Sequence, residues 1–373
     1  MTLSTPSARA AQALSRPFTL GGVTLANRIA MAPMTRGFAP GGVLHPAVAE
    51  YYRRRAEGGV GLIITEGTYV DHASAGLSGQ VPYFHGEKAL AAWARVADEV
   101  HQAGGRIMPQ LWHVGMVRVQ GAPPFPYAPA IGPSGIRNDG IRGGQAMTQN
   151  DIEAVVAAFA DAAATAERLG FDGIELHGAH GYIIDEFLWS GTNHRTDPYG
   201  GDPASRARFA AEIVAACRQA VSADFPIIFR TSQWKMGDYG AKIADTPQEL
   251  EALLTPLAEA GADAFHCSTR RYWLPEFDGS DLNMAGWAKK VTGKPSITVG
   301  SVGLDTDVFA TDRGAQAAVT SIDRLIDRLE RDEFDLVAVG RALLADAQWA
   351  RKVLTQRTDT LIPFTPEAAN TLR

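Results

Sequence analysis

The sequence is poor in cysteine and in long apolar runs. Its 373 residues contain only two cysteines, Cys217 and Cys267, whose spacing matches neither a metal site nor a redox pair. This usage disfavours a disulfide scaffold and favours a reducing, cytoplasmic location. No apolar run approaches the ~18 residues of a membrane span, and residues 1–15 lack the apolar core of a signal peptide.

Basic clusters are also scarce. The formal charge is −6, and the longest basic run is Arg53-Arg54-Arg55, so we expect neither nucleic acid nor a membrane as a partner. The composition, 46% hydrophobic and 20% charged, is that of a folded globular protein. Disordered, collagen-like and coiled-coil classes are therefore excluded.

Short β-branched runs alternate with helix-length amphipathic stretches along most of the chain, which is the pattern of a parallel α/β sheet. Eight strands are predicted, at 28–32, 61–65, 106–111, 173–177, 227–230, 264–267, 296–299 and 336–339. Eight such units predict a single (β/α)8 TIM barrel. We expect an N-terminal extension at 1–17, the barrel at 18–355 and a C-terminal tail at 356–373, with a hairpin about Gly21-Gly22 closing the barrel floor.

Helices are predicted at 45–57, 87–104, 151–169, 205–221, 246–260, 286–292, 320–331 and 341–354. The helix over 151–169 has a Thr148-x-x-Asp151 capping signature and a Gly170 stop. Long connections at 112–147, 178–204 and 268–285 all leave the carboxyl ends of strands. Long loops gathered on one rim usually form pocket walls and lids, so this rim is the expected site.

The most informative cluster is Glu175 to Tyr182, in which His177, His180 and Tyr182 follow a strand end and are interleaved with glycines. Two neutral imidazoles can donate hydrogen bonds to one substrate oxygen, and a tyrosine can supply a proton as charge develops. A metal site is the alternative, because His-x-x-His can ligate zinc or iron. That alternative would need carboxylates such as Asp185 and Glu186.

Polar residues also end other predicted strands. A buried Gln110 suits an amide-imide edge, such as that of a flavin pyrimidine, and Arg230 would place a fixed positive charge beside it. Near the C-terminus, Gly300 and Ser301 follow the seventh strand, and Gly340 and Arg341 follow the eighth. Phosphate sites of barrels lie at these two loops.

The chain resembles the Old Yellow Enzyme family of flavin-dependent ene-reductases from about residue 20 to residue 354. The motifs that carry the resemblance are NRIAMAPMTR (27–36), ITEGT (64–68), QLWHVG (110–115), HGAHGY (177–182), NHRTDPYGG (193–201) and FDLVAVGR (334–341). The resemblance implies non-covalently bound FMN, reduced by NADH or NADPH, which passes hydride from flavin N5 to the β-carbon of an electron-poor alkene.

The resemblance also implies a role for each matching residue. Those that would contact FMN are Pro33, Met34, Thr35, Gly67, Gln110, Arg230, Gly300, Ser301, Gly340 and Arg341, with Thr35 tuning the flavin through its O4. His177 and His180 would bind the substrate oxygen, Tyr182 would protonate the α-carbon, and Trp112 would shape the pocket.

Two segments depart from the family pattern, namely the end of the fifth strand, RTSQWK (230–235), and the loop 268–285. We assign Tyr272 and Trp273 of that loop to the substrate pocket, with packing inside the loop as the alternative. The expected function is an FMN-dependent ene-reductase, acting as a monomer or homodimer on small alkenes. The alternatives are a metal-dependent barrel hydrolase and a non-catalytic protein that binds flavin and phenols.

Overall fold

All eight predicted strands form and close into one parallel barrel in the computed structural model, which describes residues 6–373. The strands are β1 (Phe18–Leu20), β2 (Val23–Leu25), β3 (Ile29–Met31), β4 (Leu62–Tyr69), β5 (Ile107–Trp112), β6 (Ile131–Gly132), β7 (Gln145–Ala146), β8 (Ile174–His180), β9 (Ile227–Lys235), β10 (Ala264–Ser268), β11 (Ser296–Val299) and β12 (Leu336–Val339). The barrel runs β3-β4-β5-β8-β9-β10-β11-β12 and closes where β12 pairs with β3. The predicted (β/α)8 fold is confirmed.

Helices surround the barrel. They are α1 (Pro6–Leu14), α2 (Ala47–Glu57), α3 (Glu87–Gln102), α4 (Gln149–Arg168), α5 (Ile183–Leu188), α6 (Pro203–Ala220), α7 (Pro247–Glu259), α8 (Met284–Thr292), α9 (Val308–Asp312), α10 (Asp323–Glu330), α11 (Arg341–Ala345), α12 (Trp349–Leu354) and α13 (Pro366–Ala369). None of these helices is long and apolar enough to cross a membrane.

The single helix predicted over 341–354 is wrong, because the structure divides it into α11 and α12. Asp346 lies at the break, where its Oδ1 accepts a hydrogen bond from the backbone N–H of Gln348 at 3.0 Å. Its backbone oxygen accepts another from Trp349. An aspartate that bonds local backbone groups offers them an alternative to the helical ladder, which ends the first helix.

Four further helices were not predicted, namely α1, α5, α9 and α13. In α5 all six residues are buried, so the segment lacks the polar face from which helical periodicity is recognised. The segment read as an N-terminal extension contains α1, which packs against α10 and α12. The C-terminal tail also packs on the barrel, because Arg36 donates to the carbonyl oxygens of Ala369 and Thr371.

The predicted hairpin closes the barrel floor. Leu20 of β1 and Leu25 of β2 are buried in the same apolar cluster as the inward-facing strand residues, among them Ile64 and Met108. The turn is fixed where the N–H of Gly22 donates to the carbonyl of residue 224 at 2.7 Å. With the floor filled by side chains, the opposite rim is the open end of the barrel.

Several strands continue further toward that rim than predicted. β4, β8 and β9 extend to Tyr69, His180 and Lys235, because strand pairing continues through glycine and polar residues. These residues interrupt the apolar run by which a buried strand is recognised. The extra residues place polar side chains above the apolar interior.

We predict that Thr148→Ala lowers the free energy of unfolding by about 1 kcal/mol, measured by chemical denaturation. Thr148 caps α4, since its side chain accepts from the N–H of Asp151 while Asp151 accepts from the N–H of Thr148. Thr165→Ala, the same change inside α4, is the control and should cost nothing because alanine is the better helix former. Equal stability of the two variants would contradict the capping role.

Candidate active site

One cleft of about 1000 Å³ opens at the carboxyl ends of the barrel strands. Fourteen of the sixteen predicted site residues line it, namely Pro33, Met34, Thr35, Gly67, Gln110, Trp112, His177, His180, Tyr182, Arg230, Gly300, Ser301, Gly340 and Arg341. They come from seven different segments of the chain, so the barrel brings together residues that are far apart in sequence.

The other two predicted pocket residues, Tyr272 and Trp273, do not line this cleft. Tyr272 is buried, and its ring packs edge-on against Trp273 with the centroids 5.0 Å apart. Asn283 and Arg328 hold this part of the loop by donating to the carbonyl oxygens of residues 272 and 273. The pocket assignment is therefore corrected, because both side chains pack within the loop.

His177, His180 and Tyr182 form one aromatic group at the end of β8. The ring of His177 lies 5.1 Å from that of His180 and 4.9 Å from that of Tyr182, measured between centroids. His180 has a φ of 67°, a conformation that is uncommon for a residue with a side chain. Its ring stacks on Trp234 at 4.2 Å, and its Nε2 lies 2.8 Å from Ser268 Oγ.

The protonation states of this group follow from burial and from a nearby cation. Burial, with a further contribution from Arg230, lowers the pKa of both His177 and His180 well below the usual value. Both imidazoles are therefore neutral near pH 7. Burial also raises the pKa of Tyr182 to about 12, so its hydroxyl keeps its proton.

A polar network under the cleft orients Gln110. Its Nε2 donates to Glu175 Oε1 at 2.8 Å, while Glu175 Oε2 lies 2.6 Å from His266 Nδ1. The amide oxygen of Gln110 is thus left as the free acceptor beside Gly67. Sequence reasoning placed Glu175 in the informative cluster without a role, and it missed His266.

Thr35 follows β3, the first strand of the barrel, and hydrogen bonds fix the backbone just after it. Glu66 Oε2 accepts from the N–H of Arg36 at 2.8 Å and from the N–H of Gly37 at 3.3 Å. Burial raises the pKa of Glu66 to about 7. The turn that follows Thr35 is therefore held by a buried carboxyl group and not by packing alone.

At the other end of the cleft, two loops meet around Arg341. Its guanidinium donates to Thr311 Oγ1 at 3.1 Å and to the carbonyl oxygen of Thr306 at 2.7 Å. Gly300 has a φ of +142°, and a Cβ there would lie 2.6 Å from the carbonyl oxygen of Thr269. A glycine is needed for this close approach, and the fixed cation suits an anionic group.

The metal-ligand alternative finds no support in the arrangement of side chains. Within residues 6–373, no three histidines, cysteines or carboxylates are grouped so as to hold a metal ion. Asp185 instead bonds Lys235 and the N–H of Gly181, and Glu186 accepts from the N–H of Met116.

A family model described as "NADH:flavin oxidoreductase / NADH oxidase family" matches residues 13–360 of this chain. The chain belongs to this family. The match confirms the resemblance to Old Yellow Enzyme, and FMN with NAD(P)H as the reductant are the cofactors of this family.

Individual proteins are also similar to this chain over most of its length. An NADPH dehydrogenase of Bacillus velezensis is 33% identical over 356 residues, covering 95% of this chain and 97% of the relative. An NADH oxidase of Thermoanaerobacter brockii is 33% identical over 353 residues, which are 92% of this chain but 50% of the relative. The chain thus spans about half the length of that oxidase. The solved structure of Old Yellow Enzyme from Pichia sp. shares the fold, with a TM-score of 0.78 at 23% identity over 95% of this chain and 89% of that one.

The residues present fit FMN. Among the described residues, four buried polar atoms of side chains that line the cleft have no hydrogen-bond partner, namely Arg230 Nε, His177 Nδ1, Trp112 Nε1 and Arg270 Nε. Buried polar atoms normally have partners, and the polar groups of FMN bound in the cleft could supply them. A Cβ at residue 67 would lie 2.6 Å from the Trp112 ring, so the flat wall there requires glycine.

Sequence reasoning missed the residues of β9 and β10 that border the histidines. Trp234 lines the cleft, and its Nε1 donates to the carbonyl oxygen of Ser268 at 3.1 Å. The segment RTSQWK was noted only as a departure from the family. A tryptophan five residues beyond the apolar part of a strand was the signal that could have identified this wall.

A fully buried ion pair supports the turn between His180 and Tyr182. Lys235 Nζ lies 2.8 Å from Asp185 Oδ2, and the same carboxylate accepts from the N–H of Gly181 at 2.6 Å. Burial raises the pKa of Asp185 and lowers that of Lys235, while each charge counteracts the shift of the other. Neither charge is compensated if its partner is removed.

We predict that Lys235→Met lowers the free energy of unfolding by about 3–5 kcal/mol, because it leaves the Asp185 carboxylate buried and unpaired. Adding Asp185→Asn should recover more than half of that loss in urea denaturation. Arg137→Met serves as the control, since Arg137 and its partner Asp139 are both exposed and the loss should stay below about 1 kcal/mol. A double variant no more stable than Lys235→Met would contradict the pairing.

Proposed function

We propose that this chain is an FMN-dependent ene-reductase that reduces electron-poor C=C bonds with NAD(P)H. The observation that carries the proposal is the group of two neutral imidazoles and one protonated tyrosine, with ring centroids 4.9–6.4 Å apart, inside a cleft that fits FMN. Enones, maleimides and nitroalkenes are the proposed acceptors, with nitrate esters as a further class.

The chain's own residues divide into those that hold FMN and those that bind the acceptor. Bound FMN would supply the hydride chemistry, taking hydride from NAD(P)H and giving it to the β-carbon of the alkene. Gln110 and Arg230 would bind its pyrimidine edge, where the amide oxygen accepts and the guanidinium favours negative charge. Thr35 would bind at O4, and Arg341 with the backbone at Gly300 would hold the phosphate.

His177 and His180 would bind the carbonyl or nitro oxygen of the acceptor. Neutral imidazoles can donate to that oxygen without placing additional cations beside Arg230. As negative charge grows on the oxygen, these donor hydrogen bonds strengthen. They withdraw electron density from the β-carbon, which is where hydride arrives.

Tyr182 would give its proton to the α-carbon on the side of the alkene opposite the hydride donor. A pKa of about 12 keeps the hydroxyl protonated across the neutral range, so the proton is available in every turnover. The rings of Trp112 and Tyr182 pack edge-on at 4.9 Å, which limits rotation of the phenol. The monomer or homodimer and the cytoplasmic location stay predictions.

We predict a visible flavin spectrum for the purified protein. After anaerobic reduction with dithionite, cyclohexenone or a maleimide should reoxidise the flavin stoichiometrically. A colourless protein that cannot be reconstituted with FMN would refute the proposal, and bound metal in its place would indicate the hydrolase. A flavin that binds phenols but is not reoxidised by any acceptor would indicate the non-catalytic protein.

Tyr182→Phe should slow alkene reduction by about 10²-fold or more, because the general acid is lost. The rate of flavin reduction by NAD(P)H should change little, so stopped-flow measurement of the two half-reactions separates them. Tyr199→Phe is the matched control, since Tyr199 is a buried tyrosine outside the cleft that bonds Glu212. Equal loss in both half-reactions would instead indicate damage to the flavin site.

A further inference from the structure

We propose that a second cavity, next to the cleft, binds the phosphates of the NAD(P)H dinucleotide, an inference that rests on the proposed function. We call it the rim cavity. It is formed by two loops, 233–242 and 268–276, together with Met284.

The rim cavity adjoins the cleft. The two share Trp234, Ser268, Thr269 and Arg270 in their linings. The hairpin fills the barrel floor, so a dinucleotide whose nicotinamide enters the cleft must leave its remaining half at this rim. The rim cavity is the adjacent space that can take that half.

The charges of the rim cavity suit an anion. Three of its lining side chains are cationic, namely Lys242, Arg270 and Arg271, and Glu276 is the lining carboxyl group. Burial raises the pKa of Glu276 to about 7, which reduces its negative charge near neutral pH. The net positive charge is unusual on a chain whose overall formal charge is −6.

The two arginines are held in place but keep free donors. The Asp307 side chain is 7% exposed. Its Oδ2 lies 2.8 Å from Nη2 of Arg270 and 3.2 Å from Nη2 of Arg271, so each guanidinium uses one nitrogen. A guanidinium has five N–H donors, so most of them remain available. The Nε of Arg270 has no partner among the described residues. An oriented pair of this kind matches the geometry of phosphate oxygens.

An aromatic side chain distinguishes a nucleotide from a simple anion. Tyr239 lines the rim cavity, is 37% exposed, and has the Arg270 guanidinium 5.4 Å from its ring centroid. An exposed ring beside cations can stack with a heteroaromatic base while the cations bind phosphate. The rim cavity therefore favours an adenine nucleotide over inorganic phosphate or an acidic alkene.

The test is the double variant Lys242→Gln/Arg271→Gln, whose residues do not line the FMN cleft. Flavin reduction is followed anaerobically with NADPH, with NADH and with 1-benzyl-1,4-dihydronicotinamide, which has no phosphate. We expect the dissociation constant for NADPH to rise roughly three- to tenfold, with the truncated reductant unaffected. Lys290→Gln, at the far end of α8, is the matched control and should change nothing.

A direct binding measurement separates this inference from the proposed function. Calorimetric titration of the protein with 2′,5′-ADP involves no flavin chemistry, and the double variant should bind it roughly three- to tenfold more weakly. Weaker use of both dinucleotides would assign the pyrophosphate to the rim cavity, and weaker use of NADPH alone would assign the 2′-phosphate. Unchanged binding of 2′,5′-ADP and NADPH, or an equal loss with the truncated reductant, would overturn the inference.

Discussion

The buried guanidinium of Arg230 is the charge on which the rest of the site depends. It lies in β9 opposite His177 of β8 and His266 of β10, so its neighbours on both strands are imidazoles. Burial is the main cause that lowers the pKa values of His177 and His180, and Arg230 lowers them further. The barrel mouth therefore places a permanent cation, Arg230, between neutral imidazoles. Negative charge that develops there meets a field that needs no reorganisation.

Two buried carboxylates hold this arrangement from below. Glu175 orients the amide of Gln110, and Asp185 fixes the turn before Tyr182. Removing a carboxylate from water is costly, and a pair such as Lys235 with Asp185 adds little net stability. Their value is geometric, because a shift of about 1 Å in a catalytic group can cost about 10²-fold in rate.

The barrel could be predicted because each buried strand is a short apolar run between amphipathic helices. The site residues could be predicted where they follow such runs, as Gln110 and Arg230 do. Residues whose role depends on long-range contact were missed. Trp234 matters because it stacks on His180, and Lys235 because it meets Asp185 fifty positions away. Tyr272 was misassigned because a loop aromatic gives no sign of which way it packs.

The positive charges at this end of the barrel differ in burial, since Arg230 is buried in the cleft and Lys242 is exposed at the rim. Arg230 is only 6% exposed, so salt screens its charge poorly and the charge acts on whatever ring lies in the cleft. Lys242 is exposed to solvent, and salt screens such a charge beyond about 8 Å at physiological ionic strength. A chain with net negative charge repels phosphates, so their capture requires cations within contact distance. In the proposed arrangement, Lys242 and Arg271 at the rim bind the reductant outside the cleft, while Arg230 sets the field for the chemistry inside it.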